Sequence, residues 1–215
     1  MKKLLLPLLS ILIHTSCKKP NTNSVNPTIA SIKICNQIWM VRNLDVSTYR
    51  NGDPIPQVTD PTAWAGLTTG AWCYYNNDPA NGTVYGKLYN WYAVNDPRGL
   101  APAGWHVPTD AEWTTLSTCL GGDVVAGGAM KEIGITHWSS PNTGATNNSG
   151  FTGLPGGFRN NVIFYIVGTE GNWWSATEFN SSNAWSRSLD YFYGNIYRYS
   201  GYDKLYGFSV RCLKD

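Results

Sequence analysis

The sequence predicts a single α+β domain whose two ends meet in one sheet. Three observations lead there: strand-like runs lie near both ends, helical spacing is confined to the first half, and turn-forming residues cut the chain into short elements. At 215 residues the chain suits one core, large enough to bury roughly 70% of the surface exposed on unfolding. Aromatic residues make up 13% and charged residues only 14%, the composition of a folded domain rather than a disordered one.

Lys2 and Lys3 precede an apolar run from Leu4 to Ile13, interrupted by Pro7. As a helix this run would rise about 15 Å, half of a hydrocarbon core of roughly 30 Å. Residues 1–16 therefore read as a removable signal peptide rather than a membrane span. Thr15 and Ser16 directly before Cys17 resemble the lipobox of bacterial lipoproteins. That resemblance implies acylation of Cys17, and two or more chains at about 0.8 kcal/mol per buried methylene hold a folded domain stably on a bilayer. Residues 18–30 are polar, with Pro20, Pro27 and several Asn, and read with Cys17 as a tether of roughly 20 Å reach. The domain itself is placed at 31–215. Removing Lys2 and Lys3 leaves fourteen basic against fourteen acidic residues, which gives no electrostatic reason to expect a nucleic-acid partner.

Within the domain, Ile32, Ile34, Ile38, Trp39, Met40 and Val41 predict a strand pair turning near Asn36 and Gln37. Asn51-Gly52 and Asn81-Gly82 predict turns. Leu88, Trp91, Tyr92 and Val94 have helical spacing, ended by Asp96-Pro97, and predict two to three turns of helix. Thr109-Asp110-Ala111-Glu112 is a capping box, followed by Trp113, Leu116, Cys119 and Leu120 on one face and the stop Gly121-Gly122. Residues 139–150 are almost all small and polar, a long loop that is either mobile or used for binding. The last third predicts strands at Trp173-Trp174, at Trp185–Tyr193 and at Ile196–Ser200, then a closing strand over Tyr206–Leu213. Gly194-Asn195 fits a two-residue hairpin turn that would place Tyr193 opposite Ile196, Phe192 opposite Tyr197 and Tyr191 opposite Arg198.

Cys35, Cys73, Cys119 and Cys212 remain after Cys17, an even number in an exported chain. Disulfides are allowed, with three possible pairings, and buried thiols at Cys35 and Cys119 are an open alternative. No C-x-x-C spacing occurs and only two His follow the signal segment, so neither a metal nor a cofactor is expected.

Six segments occur in an order that resembles a known family. They are Ile38-Trp39-Met40-Val41-Arg42-Asn43-Leu44, Tyr85-Gly86-Lys87-Leu88-Tyr89-Asn90-Trp91, Gly104-Trp105-His106-Val107-Pro108-Thr109 with Glu112-Trp113, Leu154-Pro155-Gly156-Gly157-Phe158-Arg159, Trp173-Trp174-Ser175-Ala176-Thr177-Glu178, and Tyr206-Gly207-Phe208-Ser209-Val210-Arg211-Cys212. Together they resemble the Fibrobacter succinogenes major paralogous domain, found in envelope lipoproteins. The resemblance implies a disulfide between Cys73 and Cys212. A fainter resemblance, through residues 107–113, Trp174-Ser175 and Gly207-Phe208 with Arg211, links the chain to the formylglycine-generating-enzyme and C-type-lectin-like superfamily. That implies a mixed fold with two main helices, a small antiparallel sheet joining the termini and long loops. Neither the paired cysteines of the copper-dependent oxidases nor the calcium-binding tripeptides of the lectins are present.

His106 with Asp110 and Glu112 could be drawn as an acid–base set, but Glu112 serves the helix cap, and a structural histidine bonded to backbone is the expectation. Glu170 and Glu178 flank Trp173-Trp174 and would suit a glycosidase if they converged to about 5 to 9 Å. The positive feature is aromatic excess, 10 Trp and 13 Tyr. Alternation along a strand should bury one of Trp173 and Trp174 and present the other. Trp174, Trp185, Tyr191, Tyr193, Tyr197 and Tyr199 are therefore the candidate ligand contacts. The expectation is a non-catalytic module, lipid-anchored to the outer membrane on either its periplasmic or its outer face, that binds carbohydrate or another envelope protein. A hydrolase using Glu170 and Glu178 and a structural scaffold are the alternatives.

Overall fold

The computed structural model describes residues 29–215, and in it the first and last strands share one sheet. The signal segment, Cys17 and the tether through residue 28 lie outside the described residues. Strand β1 (Ser31–Ile34) turns into β2 (Gln37–Met40) through Cys35 and Asn36, with Ile34 opposite Gln37. The turn falls one residue before the one that polarity alone predicts. Cys35 takes φ +54°, the left-handed value needed at the first position of a tight II′-type turn.

Helix α1 (Pro61–Ala65) and strand β3 (Trp72–Cys73) lead to α2 (Pro79–Tyr85), β4 (Leu88–Tyr89) and α3 (Trp91–Val94). Asn81-Gly82 is thus helix rather than turn. Asp78 caps α2 through the Ala80 N–H, Pro79 occupies its first turn, and a Cβ at Gly82 would strike the Tyr74 ring. The predicted helix from Leu88 shrinks to one turn because Leu88 and Tyr89 pair with Cys73 and Trp72. Buried Asn90 then caps α3 by accepting from the Ala93 N–H at 3.1 Å.

Strand β5 (Trp105–His106) precedes α4 (Asp110–Cys119), which begins on the capping box: Thr109 Oγ1 accepts from the Glu112 N–H, and the Glu112 carboxylate accepts from the Thr109 N–H. After Gly121 and Gly122, both at positive φ, comes α5 (Asp123–Met130), which the sequence does not announce. Gly127 and Gly128 weaken its helical signal, and packing supplies the reason for them. A Cβ at Gly127 would collide with the Asn195 carbonyl, and the Gly128 N–H donates to the Gly194 carbonyl at 2.7 Å.

Strands β6 (Phe158–Arg159) and β7 (Phe164–Tyr165) form a small ribbon. The principal sheet follows: β8 (Glu170–Glu178), β9 (Asn183–Asp190) and β10 (Ile196–Asp203), in the order β10-β9-β8. Strand β11 (Leu213–Lys214) inserts between β2 and β5, completing the order β1-β2-β11-β5. The ends meet as predicted, and the described residues form a mixed α+β fold with five α-helices, where two main ones were expected.

The β9–β10 register differs from the hairpin expectation: Ile196 faces Leu189, Tyr197 faces Ser188 and Tyr199 faces Ser186, with residues 191–195 forming a loop. The loop's carbonyls point toward α5 instead of across a ladder. Buried Lys131 donates from Nζ to the carbonyls of Thr143, Asp190 and Tyr193, each at 2.8 Å. Residues 139–150 form an irregular loop that packs on α5, with the Thr146 N–H on the Gly128 carbonyl at 2.8 Å and Ser149 Oγ on the Ala129 carbonyl at 2.8 Å.

Both faces of β8 are covered. Trp173 enters a cluster with Trp39, Trp113, Phe151 and Met130, while Trp174 enters another with Phe208, Trp91 and Tyr89. This corrects the expectation that one of the two would face outward.

The disulfide pairing is also corrected: Cys35 and Cys119 are bonded, tying the β1–β2 turn to the end of α4, with Cα atoms 6.7 Å apart. Cys73 and Cys212, paired by resemblance, are free and buried. They belong to separate clusters, Cys73 beside Trp64 and Leu88, Cys212 beside Met40 and Val210. Burial pushes their thiols up, to about 11 and about 12 respectively, so neither is a ready thiolate. Peptide mapping should recover Cys35 and Cys119 in one cross-linked species and label Cys73 and Cys212 only after denaturation. Replacing Cys35 and Cys119 together by Ser should cost about 2–4 kcal/mol in urea unfolding.

Candidate functional site

Nine of the ten tryptophans are buried, so the aromatic excess is largely consumed inside the fold. Indole N–H groups are spent there too. Trp64, Trp72, Trp91, Trp138 and Trp174 donate to the carbonyls of Leu205, Ile55, Ser175, Gly153 and Tyr89. Trp174 is fully buried and leaves the list of candidate ligand contacts. Trp185 is half-buried under the Arg198 guanidinium, 3.7 Å from its ring centre. Arg198 in turn binds Asp110 at the start of α4, so Trp185 lies on the α4 side of the sheet.

The tyrosines are arranged differently. Directly opposed strand residues share a face. Asn172, Ser188 and Tyr197 therefore make one row across the sheet, and Trp174, Ser186 and Tyr199 the next. Beginning in the 191–195 loop, rings follow one another without a break: Phe192 and Tyr193 at 5.4 Å, Tyr193 and Tyr197 at 6.2 Å, Tyr197 stacked on Tyr199 at 5.8 Å, and Tyr199 against Tyr202 at 5.5 Å. Tyr206, Phe158 and Tyr165 extend the line with spacings of 5.5, 5.8 and 5.3 Å. Phe192, Tyr193 and Tyr199 are exposed at 53%, 50% and 40%, a large fraction for such side chains. Tyr191 is half-buried at the head of the row, where its ring leads into the α5 side of the core.

Two polar atoms on this face lack partners. Asn172 Oδ1 and Ser186 Oγ are buried without a hydrogen bond, a condition that costs free energy unless water or a ligand satisfies it. Glu170 joins the same face, its carboxyl raised by burial and by Asp190, and held by hydrogen bonds from Asn172 and Ser188. Burial pushes Tyr202 up to about 12, with Glu170 adding to the rise. The result is an aromatic row over a recessed strip of hydroxyl, amide and carboxyl groups.

The carboxylates suggested as a catalytic pair do not converge. Glu170 begins β8 and Glu178 ends it, a separation of roughly 26 Å along an extended strand, against about 5 to 9.5 Å for glycosidases. Glu178 is ion-paired to buried Lys204, which also donates to the Ser181 carbonyl and lies over the Trp91 ring. Of the acid–base sketch, His106 and Glu112 come together but Asp110 does not. His106 binds Asp215 through Nδ1 at 2.7 Å and Glu112 through Nε2 at 2.9 Å, rather than backbone. Asp110 instead sits between Arg187 and Arg198, at 2.6 Å from each.

Sequence reasoning missed the buried cations: Lys87 over Trp72, Lys131 over Trp138, Arg159 over Trp64 and Arg211 over Phe151. Burial lowers Lys131 to about 8 and Arg211 to about 9. Their signal was available only as basic residues inside otherwise apolar segments. Among the described residues no group of three His, Cys, Asp or Glu side chains could hold a metal, and no helix is long and apolar enough to cross a membrane.

Fold and site together define a loop-rich α+β domain with one disulfide and an aromatic sheet face. Residues 32–214 match the Fibrobacter succinogenes major domain, and the chain belongs to that family. Among curated proteins none matches it.

Two ionic clusters yield predictions. Burial raises the Asp110 carboxyl, but hydrogen bonds from Arg198 and Arg187 outweigh it and hold the group below its usual range. D110N leaves the Arg187 guanidinium buried without its carboxylate and should cost about 3–5 kcal/mol in urea denaturation. For His106, burial opposes the charged form, yet its hydrogen bonds to the Asp215 and Glu112 carboxylates raise its pKa overall. A raised folded-state pKa means the stabilisation is complete below about 6.5, the unfolded value, and fades as pH climbs through the folded one. H106Q should therefore lower the thermal midpoint more at pH 5.5 than at pH 9. An equal loss at both would show that the ion pairs do not contribute.

Proposed function

We propose that this is a lipid-anchored envelope protein, held on the outer membrane through Cys17, whose tyrosine-lined sheet face binds glycan without cleaving it. The reading rests above all on one observation: exposed Tyr199 stands opposite Ser186, on the sheet face that holds the buried, unpartnered Ser186 Oγ and Asn172 Oδ1. Saccharides present an apolar ring face and a rim of hydroxyls, and such a ligand suits rings flanked by polar atoms that need hydrogen bonds. The anchor reading rests on the short apolar segment and on Thr15-Ser16-Cys17.

A glycan array read with the purified domain should give a ligand whose affinity falls about tenfold, or 1.4 kcal/mol, in Y199A and in Y193A. F179A, exposed beside Trp185, should leave it unchanged. Absence of any glycan ligand, or indifference to both tyrosine substitutions, would remove the binding reading. Palmitate labelling should mark the wild-type protein and not C17S; labelling of both would remove the anchor.

A further inference from the structure

A second concavity lies away from the tyrosine face. It encloses about 480 Å³ between the segment after β2, helix α2 and the loop before β6, with Val41, Val84 and Leu154 among its apolar walls. That volume is in the range of small-molecule sites. Arg211 forms part of its lining although only 1% of the residue is exposed.

The hydrogen bonding of Arg211 is incomplete. Nε and Nη2 donate to Asn43 Oδ1 at 3.0 and 2.7 Å, and Nη1 donates to the Phe151 carbonyl. A guanidinium has five N–H groups, so two have no acceptor among the described residues. No carboxylate pairs with Arg211 among the described residues, whereas Arg187 has one. Asn43 cannot rotate away, because its Oδ1 also accepts from Trp173 Nε1 at 2.8 Å and its Nδ2 donates to the Tyr85 carbonyl at 2.9 Å. The guanidinium is therefore fixed in place, desolvated and without a carboxylate counter-charge among the described residues.

The acidic groups in the cleft are already engaged. Glu132 binds His137 Nδ1 at 2.8 Å, and Asp45 is ion-paired to Lys87. Arg42 lines the same cleft, is exposed and adds a second positive charge.

We propose that this cleft binds a small organic carboxylate, its anionic head on the free N–H groups of Arg211 and its apolar body against Val41, Val84 and Leu154. A planar carboxylate matches a guanidinium in geometry and charge. The carboxylates of Asp45 and Glu132 line the same cleft and disfavour a more highly charged oxyanion. This site is independent of the tyrosine row and would stand if glycan binding failed.

N-acetyl-leucine and its uncharged amide are suitable probes, titrated calorimetrically into the whole domain with inorganic phosphate as a third arm. The acid should bind at least tenfold more tightly than either the amide or phosphate, and should shift the Arg211 Nε resonance. Because Arg211 is buried and its replacement could unfold the protein, the test variant is V84W, on the exposed side of α2, which fills the cleft. V84W should lose at least tenfold in affinity at unchanged thermal midpoint. Equal binding of acid and amide, phosphate binding as tight as the acid, or acid binding undiminished in V84W would overturn the assignment.

Discussion

The fold depends on finding donors for backbone carbonyls that no helix or sheet provides for. Much of the chain between its short elements is irregular, and buried carbonyls in irregular backbone must still be paired. Side-chain N–H groups do this throughout. Lys131 gathers three carbonyls from two loops, Arg159 takes those of Val58 and Thr59, and Arg50 takes those of Ala101 and Trp105. Five indoles act in the same way. Cations serving this purpose inside a protein need compensation for lost water, and the rings beneath Lys87, Lys131, Lys204, Arg159 and Arg211 supply part of it. Tryptophan richness is thus chiefly a response to loop content.

That constraint explains what could and could not be read from the sequence. Features set by neighbours along the chain were legible: the capping box at Thr109, the strand pair around Cys35, and the terminal strands in one sheet. Features set by contacts across the molecule were not. Gly127 and Gly128 weaken α5 locally, yet close approach to the backbone of Asn195 and of Gly144, respectively, requires them. The 191–195 loop looked like the end of a hairpin because Lys131, which turns its carbonyls aside, lies some sixty residues away. Pairing of cysteines is likewise a tertiary fact, and Cys73 and Cys212 fall in different clusters. Strand alternation predicted one outward indole, but β8 is covered on both sides.

Of the residues singled out for binding, the tyrosines form the coherent set. Tyr193, Tyr197 and Tyr199 lie in one row, Tyr191 heads it, Trp185 serves an arginine on the other side, and Trp174 belongs to the core. Tyr197 and Tyr199 stand on β10 in fixed register, so their spacing is set by a rigid element, whereas Tyr191 and Tyr193 are placed by the 191–195 loop. Glu170, considered for catalysis, remains on that surface as a polar neighbour of the rings.

The position of β11 has a consequence for biogenesis. The last strand fills the middle of the terminal sheet, and residues 207–213 supply Phe208, Val210 and Cys212 to the interior. A nascent chain that lacks residues 206–215 has a gap where that strand belongs, and Asn43 is without Arg211. Closure of the domain must therefore wait until residues 207–213 have been made and the central strand of the sheet can be laid in.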